Sequence, residues 1–192
     1  TGAGYSAFDA ANRLPLSGVY ISEFGGSTGS VASDWVEIYN STGSAVSLAG
    51  YGISNNPKNP AKWVFPDISI EPGEYLLLYA TGSADKAQKK NLKLNFCISS
   101  TGEALFFFDP NGKLIDKLSA GRMRSGQSYG RDGSDNRYYY ADPTPGAQNG
   151  KGYEGITQLP AFSVTPGIYD NAVTVAITAG EGETIRYTTD CT

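Results

Sequence analysis

Two glutamates, Glu23 and Glu37, each stand inside a short run of alternating residues. Two carboxylates brought together are the machinery of a glycosidase, one as acid and one as base or nucleophile. The competing reading makes them strand residues, hydrogen-bonded or paired with Arg131 near a sandwich edge. The sequence favours this structural ion pair, since no substrate-shaped set of neighbours accompanies the two acids. A second cluster, Arg131-Asp132-Gly133-Ser134-Asp135-Asn136, puts several oxygen ligands on a glycine-bearing loop. Asp132, Asp135 and Asn136 are its candidates for holding Ca2+. The loop lacks the twelve-residue calcium pattern with its terminal Glu, and Asx-rich turns share this composition without metal.

Aromatic residues offer a third chemistry. Tyr138-Tyr139-Tyr140, with Trp35, Tyr51 and Trp63, supplies rings that stack on apolar sugar faces, and Trp35 and Tyr139 are the glycan-binding candidates. In a strand, however, Tyr138 and Tyr140 point one way and Tyr139 the other, so part of this set belongs to a core. Trp63-Val64-Phe65-Pro66 and Phe106-Phe107-Phe108 read as packing, the latter as a central strand covered on both faces. The glycines from Gly25 to Gly29 are not a phosphate loop, because no Gly-Lys-Ser/Thr ending or helix follows them.

Composition removes several function classes. The chain has 192 residues, no His and a formal net charge of -4. Without His the commonest general base and metal ligand is missing. Nucleic-acid binding normally requires a basic stripe, and the only basic cluster, Lys86, Lys89, Lys90 and Lys93, has Asp85 beside it and reads as a solvated face. No run of about 18 apolar residues predicts a membrane span. Cys97 and Cys191 are far apart, so a disulfide between them is open but not implied.

The elements that must position these residues are short strands. Alternation begins at Val19-Tyr20-Ile21-Ser22-Glu23-Phe24 and resumes at Asp34-Trp35-Val36-Glu37-Ile38-Tyr39-Asn40. Further strands are expected at 46–48, 51–54, 63–65, 75–79, 94–98, 104–108 and 113–116, and 83–90 has the pattern of a short helix. Glu71-Pro72-Gly73-Glu74 has type II turn chemistry, and Asp109-Pro110-Asn111-Gly112 is a hairpin signal. Many short strands between turn signals predict an all-β sandwich. Beyond the Pro-rich tail Asp142-Pro143-Thr144-Pro145-Gly146, residues 150–160 read as a linker. A second β segment follows at 161–192, with strands expected at 173–178 and 184–189; about 30 residues are too few for an independent core.

Taken in order, several motifs resemble the lamin-tail domain family. They are Ile21-Ser22-Glu23-Phe24, Asp34-Trp35-Val36-Glu37-Ile38-Tyr39-Asn40, Leu48-Ala49-Gly50-Tyr51-Gly52-Ile53-Ser54, Trp63-Val64-Phe65-Pro66 and Ile70-Glu71-Pro72-Gly73-Glu74-Tyr75-Leu76. Ser100-Thr101-Gly102-Glu103, Ser128-Tyr129-Gly130-Arg131 and Thr144-Pro145-Gly146-Ala147-Gln148-Asn149 complete the series. The resemblance implies an immunoglobulin-like β-sandwich over residues 19–149, preceded by an extension over 1–18. In nuclear lamins such domains meet partner proteins, while bacterial versions accompany secreted or surface proteins. The segment from residue 161 is similar to the start of the small β-sandwich at the C-terminus of chitobiases, through Pro166-Gly167-Ile168-Tyr169 and Ile185-Arg186-Tyr187-Thr188-Thr189-Asp190. Cys191 stands where that family usually has Gly.

The combined expectation is a non-catalytic interaction or spacer module of a bacterial extracellular or cell-surface protein, such as a spore-coat kinase-like protein. It would use no cofactor and bind an unknown protein or a cell-envelope glycan, not nucleic acid or a membrane. Loops 25–33, 55–62 and 81–91 are the expected contact surfaces, since rigid scaffolds carry recognition on loops. The alternative is a carbohydrate-binding accessory module.

Overall fold

A computed structural model describes residues 18–26, 32–83, 92–157 and 159–189, and among these every regular element is a β-strand. The larger sheet contains, from one edge to the other, β12 (Arg137–Tyr140), β11 (Ser128–Arg131), β1 (Val19–Gly25), β2 (Asp34–Asn40), β7 (Tyr75–Ala80) and β8 (Leu92–Leu94). The smaller sheet runs β10 (Leu114–Ala120), β9 (Glu103–Phe108), β4 (Gly52–Ser54), β5 (Trp63–Val64). β3 (Val46–Ser47) pairs with β6 (Ser69–Ile70), and β13 (Ala161–Phe162) with β14 (Ile177–Thr178).

Period-2 alternation drives this architecture. Ile21, Phe24, Val36, Ile38 and Leu78 from the larger sheet meet Ile53, Trp63, Leu105, Phe107 and Leu118 from the smaller one, all fully or almost fully buried. Interdigitated inner faces of this kind are the core of a β-sandwich. The fold is all-β, as alternation had indicated, and immunoglobulin-like, as the family resemblance had implied. β9 lies between β10 and β4, so its three phenylalanines occupy a central strand. Phe107 enters the core, while Phe106 and Phe108 stack on the other face with centroids 6.5 Å apart.

The turns follow their chemistry. Glu74 N–H donates to Glu71 O across Pro72-Gly73, and Gly73 takes φ 73°, which a type II turn demands. Asp109 closes the β9–β10 hairpin: its N–H donates to Lys113 O, and its carboxylate accepts from Asn111 N–H and Lys113 N–H.

Two expectations need correction. The strand expected at 94–98 lies earlier, at Leu92–Leu94, and runs parallel to β7. Leu94, Phe96 and Ile98 are buried and Asn95 and Cys97 exposed, so the alternation was real. The backbone past Leu94 nevertheless leaves the ladder, and Ile98 N–H donates to Asp34 Oδ2 at 3.1 Å instead. Among the described residues from 161 onward, only the two-residue strands β13 and β14 form, and 184–189 is not a strand. A two-stranded ribbon has too little partner surface to order long strands. The helix expected at 83–90 falls mostly outside the described residues, as do Cys191 and most of loops 25–33 and 81–91.

Candidate functional site

Two polar clusters are buried side by side on β1. The first centres on Arg131 at the end of β11. Its guanidinium donates to both carboxylate oxygens of Asp116 at 2.9 and 2.7 Å and to Lys117 O at 2.9 Å. Arg131 Nε lies 2.9 Å from Asp135 Oδ1, and the guanidinium also covers the Tyr20 ring at 5.4 Å. Asp116 belongs to β10 in the smaller sheet, so this bidentate pair joins the two sheets.

Its position follows from two irregularities. The β1–β2 register slips between Ile21 and Glu23, and the β9–β10 register slips between Leu114 and Asp116. Bulges of this type re-aim side chains and free ladder groups. Here Ile21 N–H donates to Asp116 Oδ2 at 2.8 Å. The sequence reading missed Asp116 altogether: a lone acid on a strand carries no signal until the topology sets it against β1.

Glu23 and Glu37 form the second cluster. They stand directly opposite each other across β1 and β2, on the face turned away from the core, and both are fully buried. The expected pairing with Arg131 does not form, because Asp116 and Asp135 take that guanidinium. Neutral donors serve the two acids instead. Ser128 Oγ donates to Glu23 Oε1, and Gly146 N–H donates to Glu37 Oε2. Glu23 Oε2 and Glu37 Oε1 have no hydrogen-bond partner.

Burial without a cation raises both acids. Desolvation pushes Glu23 up to about 7 despite hydrogen bonds from Ser128 and Thr144. Desolvation likewise pushes Glu37 up to about 8, against the Gly146 hydrogen bond and with Glu23 adding to the rise. Tyr75 rises to about 12 and Tyr140 rises as well, mainly through burial, with Glu37 and Glu23 respectively contributing.

The segment 142–153 is what covers these acids. Thr144 and Gly146 sit on the carboxylates, and Asn149 donates to Arg131 O at 2.8 Å. Tyr153 then exchanges both backbone hydrogen bonds with Tyr139. Gly130 and Gly152 make the close fit possible. A Cβ on Gly130 would come within 2.7 Å of Ser22 O and 2.9 Å of Glu23 Cγ. A Cβ on Gly152 would stand 2.2 Å from Tyr138 Cβ. The Pro-rich tail thus reads as a fitted lid over the sheet, where the sequence suggested only a terminating extended segment.

The calcium candidates are engaged in a hairpin. Asp132 accepts from Ser134 N–H, Asn136 N–H and Asn136 Nδ2, an Asx turn that holds its carboxyl below the ordinary range despite some desolvation. Asp135, at φ 60°, turns its carboxylate onto Arg131. Among the described residues no group of three or more Asp, Glu, His or Cys side chains gathers.

The glycan candidates are turned inward, which corrects their expected display. Trp35 is fully buried, with its Nε1 donating to Gly26 O at 3.0 Å. Tyr139 packs against the core, 4.8 Å from the Tyr129 ring, and its hydroxyl accepts from Gly121 N–H. A row that the sequence did not single out crosses the outer face: Tyr20, Tyr39 and Tyr75, with centroid separations of 5.6 and 4.4 Å. Tyr39 shares the parity of Glu37, but Tyr20 reaches this face only through the bulge between Ile21 and Glu23, and strand order was needed to align all three.

Comparison with family models matches residues 14–122 to the Lamin Tail Domain, more than half of the chain. Comparison with curated proteins finds no match. The matched stretch ends before β11, yet β11 pairs with β1 in the interior of the larger sheet, so the folded unit continues beyond it. With the motif order, the sandwich and this match in agreement, the chain belongs to the lamin tail domain family.

Proposed function

We propose that this domain is a rigid, non-catalytic interaction and spacer module of a bacterial secreted or cell-surface multidomain protein. Lamin tail domains are non-catalytic immunoglobulin-like domains, and the observation that carries the proposal here is the fate of the polar residues. Glu23, Glu37, Asp116 and Arg131 are all buried within the fold, which closes the Glu23–Glu37 carboxylate pair to a substrate. Recognition then falls to loops on a fixed scaffold, with the largely exposed 55–62 loop foremost. The second β segment, similar to the start of a chitobiase C-terminal sandwich, fits the same surface setting. The test is turnover of phosphoester and glycoside substrates by the full chain. None is expected, and turnover abolished by Glu37→Gln overturns the proposal.

The carbohydrate-binding reading retains one supporting observation, the partly exposed Tyr39–Tyr75 pair on the outer face. Retention of the chain on an insoluble cell-wall polysaccharide, lost on Tyr75→Ala, favours that reading. Absence of retention returns the weight to the spacer.

A further inference from the structure

We propose that Glu23 and Glu37 form a proton-held clasp: the segment 142–153 stays seated on the larger sheet while the pair keeps at least one proton, and ionisation of both acids releases it. The geometry has three parts. The acids are cross-strand neighbours, which places their Cβ atoms about 4.5–5.5 Å apart. One oxygen of each has no hydrogen-bond partner, so each acid buries an oxygen that is better tolerated when the group is protonated. The segment itself supplies the cover, through Thr144 against Glu23 and the Gly146 N–H on Glu37.

The surrounding groups allow no other relief of charge. β1 and β2 contribute the two glutamates and the neutral Ser22 hydroxyl, which hydrogen-bonds Glu37. β11 contributes the neutral Ser128 hydroxyl, and its Arg131 is committed to Asp116 and Asp135. Tyr75 of β7 and Tyr140 of β12 face the pair as neutral phenols. The covering segment brings backbone N–H groups and the Thr144 hydroxyl, and no cation contributes to the environment of either acid.

One charge on the pair is tolerable and strengthens the Gly146 hydrogen bond, since an ionised acceptor binds N–H more tightly. Two buried charges at this separation are not, so the pair titrates as a unit. Water must then enter, and the element that covers the pair is the 142–153 segment. Burial raises Glu23 to about 7 and Glu37 to about 8, which makes the release accessible to mild alkalinity. Opening uncovers a sheet face that includes Tyr138 and Tyr140, against which Gly152 packs.

Amide hydrogen exchange by NMR on the full chain, corrected for intrinsic rates, tests this between pH 5.5 and 9. The Gly146 protection factor is expected to fall at least 10-fold across that range while Ile38, in the centre of β2, keeps its protection. Glu37→Gln and, separately, Glu23→Gln are expected to flatten the fall, because each leaves at most one charge. The side-chain carboxyl 13C shifts of the unmodified chain give a reading that needs no variant. Unchanged Gly146 protection through pH 9, loss of Gly146 and Ile38 protection together, or carboxyl titration near the ordinary value of 4.5 for both acids overturns the clasp.

Discussion

Ile21 and Glu23 stand two residues apart on one bulged strand, and each belongs to a polar cluster that excludes water by an opposite means. On the Ile21 side, Asp116 and Arg131 meet as opposite charges through bidentate hydrogen bonds that cross between the sheets. On the Glu23 side, two acids meet no cation and receive only neutral donors from Ser22, Ser128, Thr144 and Gly146. Equal burial therefore leads to different electrostatics. A charge matched by its counterion is held at any ordinary pH, whereas a charge without one is removed by a proton. The first cluster is a fixed joint between sheets; the second is conditional on pH.

The largest effect comes from breaking the fixed joint. Asp116→Ala leaves a buried guanidinium with its strongest partner gone and orphans the Ile21 N–H, and loss of one member of a buried pair costs about 3–5 kcal/mol. Urea unfolding of the variant should show that loss; a change under about 1 kcal/mol would mean Asp135 can replace Asp116. Gly152→Ala comes next, because its Cβ would lie 2.2 Å from Tyr138 Cβ, an atom fixed close to the backbone. Overpacking of this kind costs about 1–3 kcal/mol. It should also lift the cover and bring the titration of Glu23 and Glu37 back towards 4.5, joining the lid to the acids in one measurement.

How much of this was legible in the sequence depended on how local each feature is. The sandwich was legible because alternation at Val36–Ile38 or Leu105–Phe107 is written into neighbouring residues. The turn at Pro72-Gly73 and the hairpin at Asp109 were legible for the same reason. Glu23 and Glu37 drew attention as a pair before any strand order was known. Their partners did not, since Asp116 is 95 residues from Ile21 and Gly146 is 109 residues from Glu37. Trp35 and Tyr139 were misplaced because residue type says that a ring packs somewhere, while the sheet decides whether solvent or protein receives it. The strands expected from residue 161 failed differently. Alternation at Val173, Val175 and Ile177 persists, but no third strand is present among the described residues to pair with β13 and β14.

The pH dependence of stability should separate the two clusters most cleanly. The folded values of Glu23 and Glu37 lie above the unfolded ones, so the folded chain retains protons that the unfolded chain has already lost. Stabilisation from the neutral pair is complete below about 4.5 and is lost as pH rises through about 7 and then about 8. A fall of at least ~1.4 kcal/mol in unfolding free energy between pH 5.5 and 9 is expected, the equivalent of one pKa unit. Glu37→Gln should therefore remove most of the step. A step of undiminished size in that variant would place the titrating groups elsewhere and leave the two clusters electrostatically alike.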